Sequence, residues 1–209
     1  MRDVNLPQAA DYADLDTYPI DRPGSARYQR LVDTCRDQIR SEGACLLKGF
    51  VVPDRLGRLV GDTEALLGAV HHNLNTNTTP YQTAVTDGEH GVHPTCRPGR
   101  SSVHVIAHDL IPSGHGIRLL YEWEPMRGFL SDVLELPSLY RYEDSLAGLN
   151  IAVNKRGDRN GWHFDQCDLV TSILIRPAAA GGLFQYCPNI RNAGDENYPG
   201  VQAVLDGDT

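Results

Sequence analysis

The chain has 209 residues, 41% apolar and 22% charged, which suits one globular domain with a sizeable core. A net charge of −8 without any Lys/Arg cluster excludes a nucleic-acid or anionic-membrane surface, and there is neither an apolar run of membrane-spanning length nor an apolar signal core. Five scattered cysteines (Cys35, Cys45, Cys96, Cys167 and Cys187) without a Cys-x-x-Cys pattern imply free thiols and a cytoplasmic protein.

Residues 1–24 are polar and proline-punctuated up to Pro23-Gly24, and predict an irregular N-terminal arm before a domain at 25–209. Ser25 caps a predicted helix whose apolar positions Tyr28, Leu31, Val32, Cys35 and Ile39 keep helical spacing, and Gly43 ends it. Ala44 to Val52 reads as a strand. Pro53-Asp54 opens a second helix carrying Leu56, Leu59, Val60, Leu66 and Leu67. From His71 to Arg100 the composition turns to Asn, Thr, Gly, Pro and His, which predicts a long loop of the kind that covers a site. Ser101 to Leu110 alternates as a strand, and Arg118 to Leu136 is helical with a break at Pro125. Leu149 to Asn154 alternates again, with Asn150, Ala152 and Asn154 on one face, and Lys155 to Asn160 is a charged turn. Residues 162–176 predict a long central strand, Leu183 to Cys187 another, and Val201 to Leu205 a last short one. Helices first and clustered strands later predict an α+β fold, a jelly-roll core with flanking N-terminal helices.

Within Trp162-His163-Phe164-Asp165, strand alternation would put His163 and Asp165 on one face and the two aromatic rings on the other. A two-histidine, one-carboxylate set on one side of a metal leaves its other positions open for chemistry, and His163 and Asp165 are two such donors. Composition alone would produce about 0.7 His-x-Asp triplets in this chain, so any signal lies in the flanking residues. Trp162, Phe164, Phe184 and Tyr186 read as core aromatics.

Those flanking residues, Trp162-His-Phe-Asp-Gln-Cys-Asp-Leu-Val-Thr-Ser-Ile-Leu-Ile-Arg-Pro177 and Gly181-Gly-Leu-Phe-Gln-Tyr-Cys-Pro-Asn-Ile-Arg191, resemble the iron(II)/2-oxoglutarate-dependent oxygenase superfamily. The nearest likeness is to its bacterial small-molecule hydroxylases and halogenases. Gly43 to Pro53 and Leu139 to Asn150 extend the resemblance over most of residues 26–209. It implies a double-stranded β-helix of the cupin-like kind, with iron(II) held by His163, Asp165 and a second histidine. It also implies 2-oxoglutarate and O2 as further reactants, and a C–H bond of a small soluble metabolite as the target. Asp165 keeps the carboxylate that halogenating relatives replace with a small residue, which implies hydroxylation or, next, desaturation. Asn150 and Asn154 would reach the cofactor from the neighbouring strand.

After Asp165 the chain contains no further histidine, and its only arginines are Arg176 and Arg191. The third iron ligand and the arginine that pairs with 2-oxoglutarate are therefore missing, which predicts a C-terminally shortened family member with weak metal affinity. Two other readings stand beside it. One is a non-catalytic jelly-roll binding module. The other is a protein stabilised by zinc at His90, His93 and Cys96, with His104 and His108 nearby. His71 and His72, as sequence neighbours, diverge on any regular element.

Overall fold

The computed structural model describes residues 7–85, 93–144, 146–167 and 169–207. They form an α+β protein with five α-helices and a small sheet. The helices are α1 (Ala26–Glu42), α2 (Pro53–Glu64), α3 (Gly116–Glu122), α4 (Glu124–Val133) and α5 (Tyr198–Asp206). The strands are β1 (His71–Thr78), β2 (Gly99–Ala107) and β3 (Asn150–Val153), in the order β1-β2-β3 with β1 and β2 antiparallel. Two compact units can be separated. The first runs to Ala69 and resumes over Ile106–Ile151; the second comprises Val70–Val105 and the residues from Ala152 onward.

In the first unit the helices follow their sequence signals. The Ser25 hydroxyl accepts from the Tyr28 N–H at 3.1 Å, and Gly43 closes α1 at φ 70°, a conformation that glycine adopts without a Cβ clash. Tyr28, Val32 and Cys35, four and three residues apart, are the buried stripe. Pro53 stands in the first turn of α2, where its missing N–H breaks no bond. Pro125 separates α3 from α4, because it has no N–H to donate to the carbonyl four residues back. The Tyr28 hydroxyl donates to the Asp132 carboxylate, and Arg36 donates to the Asp132 carbonyl at 2.6 Å, joining α1 to α4. Residues 7–24 are irregular apart from a 3-10 turn at Ala9–Tyr12, yet Tyr12 and Ile20 are fully buried. All five cysteines are free, and burial followed by the neighbouring Cys45 pushes the Cys35 thiol up to about 12.

The second unit is built on the β1–β2 ladder, which runs from His71 opposite Val105 to Thr78 opposite Gly99 with an irregularity between Asn75 and Thr78. Arg159 bridges to Ser102 through a reciprocal pair of backbone hydrogen bonds of 2.7 and 3.2 Å. Asn197 caps α5 by accepting from the Gly200 N–H, and Arg97 ties its end down through Asp206 and the Leu205 carbonyl. Apolar burial is uneven. Among the described residues, Val201, Pro80 and Pro94 are the buried apolar side chains of this unit, while the rest of the apolar core belongs to the first.

Five sequence expectations are corrected. Ala44 to Val52 is not a strand; it turns at Leu47–Phe50 and meets Ala13 in a single bridge at Val51. His71 to Thr78 is a strand rather than the start of a loop, because a backbone ladder to β2 needs no apolar pattern in side chains that face water. Of the expected strands at 162–176 and 183–187, residues 162–167, 169–176 and 183–187 are irregular chain, and residue 168 lies outside the described residues. There Leu174 is 73%, Leu183 87% and Phe184 86% exposed; Trp162 and Tyr186 are exposed as well and Phe164 is half-buried, so none of the four aromatics belongs to the core. Val201 to Leu205 lies in α5, since Asn197 with Pro199 in the first turn and Gly207 after the end specify a helix over that apolar run.

Candidate functional site

His163 and Asp165 lie on the irregular segment after the charged turn, held against the residues that follow β1. The Phe164 N–H donates to the Pro80 carbonyl at 2.8 Å, and Gln82 donates to the Phe164 carbonyl. Gly161 passes so close to β2 that a Cβ there would stand 2.9 Å from the Arg100 carbonyl oxygen. His163 Nδ1 is 2.7 Å from the Gly161 carbonyl and donates to it, so in the neutral ring the lone pair is on Nε2. That Nε2 stands 3.3 Å from Asp165 Oδ1. Two donors each about 2.1 Å from one ion are separated by about 3.0–3.4 Å, from right-angled to tetrahedral geometry. The pair therefore fits a shared metal even without the strand that was expected to orient it.

A cavity of about 310 Å³ adjoins Asp165, lined by Tyr81, Phe164, Asp165, Gln166, Cys167 and Arg191. Arg191 lies 3.9 Å above the Phe164 ring centroid and pairs with Glu196 at 3.0 Å, so an aromatic face and a carboxylate together aim its guanidinium. Tyr81 packs against Phe164 at 5.0 Å. Asn154 is exposed and is not part of this lining; Asn150 is exposed on β3 and belongs to the first unit. Among the described residues no third His, Cys, Asp or Glu donor joins His163 and Asp165.

The histidines upstream behave differently. His90 lies outside the described residues. His93 Nδ1 pairs with the Thr95 hydroxyl at 2.7 Å and its ring stands edge-on to Tyr198, while Cys96 contacts the same hydroxyl at 3.8 Å. His108 packs edge-on against Tyr121 in the first unit. His104, in contrast, is drawn into a group whose other members lie far from it in sequence.

Cross-strand register sets His72 opposite His104, with the two imidazoles stacked at 4.2 Å and 6°. Asp158, from the charged turn, meets two polar side chains of β2. Its Oδ1 accepts from the Ser102 hydroxyl at 2.7 Å, and its Oδ2 stands 2.9 Å from His104 Nδ1 and 2.8 Å from the Lys155 N–H. Ser102 in turn is 2.9 Å from His72 Nε2. The Ser102 hydroxyl, then the Lys155 N–H, then His104 hold the Asp158 carboxyl down at about 2, so it is an anion throughout the physiological range. His72, His104 and Asp158 present donor atoms that all lie within 4.8 Å of one another. The sequence did carry part of this signal: Ser102 and His104 are two apart on a strand, hence on one face. Their partners are 30 residues from Ser102 and 54 from His104, and only the folded register supplies them.

Among the described residues no helix is long and apolar enough to cross a membrane. Comparison of the chain with protein-family models, with curated proteins and with solved structures found no match.

Proposed function

We propose that this chain is an iron(II)/2-oxoglutarate-dependent oxygenase-like protein that hydroxylates a C–H bond of a small soluble metabolite. The observation that supports the reading is the His163–Asp165 pair, with Nδ1 committed to the Gly161 carbonyl and Nε2 3.3 Å from the carboxylate. When bound, iron(II) with 2-oxoglutarate and O2 supplies the oxidising power for such a reaction. The chain's own residues hold and orient: His163 and Asp165 offer the donors, and the Gly161 carbonyl fixes the tautomer. Phe164 and Tyr81 wall the cavity, and Arg191 offers a positioned cation to an anionic ligand. The double-stranded β-helix belongs to this proposal through the sequence resemblance of 162–191. With two protein donors in place of three, metal affinity is weak and turnover by these residues alone is low.

Anaerobic addition of iron(II) and then 2-oxoglutarate tests the reading. A visible charge-transfer band that needs both components, and disappears in Asp165→Ala, is the expected outcome. No band at millimolar iron and 2-oxoglutarate, or a band unchanged in Asp165→Ala, overturns it.

A further inference from the structure

We propose that His72, His104 and Asp158 form a second metal site, one that takes a divalent transition ion and by its donor set favours zinc. Two imidazole nitrogens and one carboxylate, with solvent on the open side, match the three-protein-ligand pattern of zinc sites with an exchangeable fourth position. The three residues come from β1, β2 and the 155–160 turn, and their donor atoms already lie within 4.8 Å.

Three features separate this group from histidines that merely share a surface. The carboxylate is preformed: Ser102 and the Lys155 N–H fix its orientation, the support expected around a metal-binding carboxylate. His104 and Asp158 are largely buried, with side chains 14% and 8% exposed, whereas His72 is exposed and leaves a route in. The 2.9 Å separation of His104 Nδ1 and Asp158 Oδ2 is close to the edge of a coordination polyhedron, so an ion can take the place of the shared proton while that proton moves to Nε2.

One movement is required. Parallel stacked rings point their lone pairs side by side, so a single ion engages both imidazoles only after one ring tilts. His72 is the ring that tilts, because it is the exposed member and exchanges its hydrogen bond with Ser102 for a metal bond. The ion then cross-links three segments of a unit whose apolar core is thin, so its binding stabilises the folded state.

The test uses the full chain, stripped of metal, in a His163→Ala/Asp165→Ala background that removes the other candidate donors. Cobalt(II) titration is followed by visible d–d absorption, and zinc by calorimetry and by thermal unfolding. One equivalent bound in this background is expected, with a zinc-dependent rise in melting temperature. His72→Ala, a surface change checked for folding by circular dichroism, should weaken binding by more than about tenfold. His104→Ala and Asp158→Asn should do the same where they fold. Undiminished binding in His72→Ala overturns the proposal, as does absence of stoichiometric binding in the His163→Ala/Asp165→Ala protein. Neither result bears on the iron reading, whose donors this background lacks.

Discussion

His115 shows how one side chain can serve local structure and make it pH-dependent. It precedes α3 and its Nδ1 accepts from the Ile117 N–H at 3.3 Å, while Nε2 faces the Thr63 hydroxyl at 3.4 Å. An Nδ1 that accepts cannot also carry a proton, and the side chain is almost wholly buried, so burial pushes its pKa below the ordinary value. Since the unfolded chain binds the proton more readily, the stabilisation is complete above the unfolded value near 6.5 and is lost as pH falls below it. His115→Asn keeps a capping acceptor without a titrating ring. Urea unfolding should therefore show a shallower loss of stability between pH 7 and 5 than in the wild type. His115→Ala should lose about 1 kcal/mol at neutral pH as well, the usual worth of an N-cap.

At the scale of elements, packing of α3 depends on Gly116. A Cβ there would collide with the Tyr12 ring and stand 2.7 Å from Leu59, and both neighbours are fully buried and have nowhere to go. Gly116→Ala should destabilise by about 1–3 kcal/mol through overpacking, measurable as a lower urea midpoint with unchanged slope. Several helix boundaries are legible in the sequence, because Ser25, Gly43, Pro53 and Pro125 act within one turn of themselves. Strands are less so. β1 reads His-His-Asn-Leu-Asn-Thr-Asn-Thr, a sequence without apolar alternation, and it is a strand because β2 offers it a ladder. The run from Val170 to Ile175 has strong β propensity and yet joins no ladder, since propensity without a pairing edge does not make a sheet.

Across the molecule, apolar burial and candidate chemistry are segregated. Nearly all buried apolar side chains belong to the first unit, whereas His72, His104, Asp158, His163, Asp165 and Arg191 belong to the second. The stretch 169–187 contains no helix or strand and exposes Leu174, Leu183, Phe184 and Tyr186. Brief chymotrypsin treatment under native conditions should therefore cut within 174–186 before it cuts in α1 or α4, as mass spectrometry of the first fragments would show. First cleavage inside α1 or α4 would contradict this distribution of order.

The start and end of α1, the start of α2, the break at Pro125 and the α+β class could be read along the chain, because each rests on residues within a few positions of one another. That Arg191 lines the cavity beside Asp165, and that His72, His104 and Asp158 meet, came only with the folded arrangement. Those groupings depend on strand register and on backbone contacts between distant segments, such as Ser102 with Arg159 and Phe164 with Pro80. A carboxylate on a turn is ordinary until a ladder sets two imidazoles beside it.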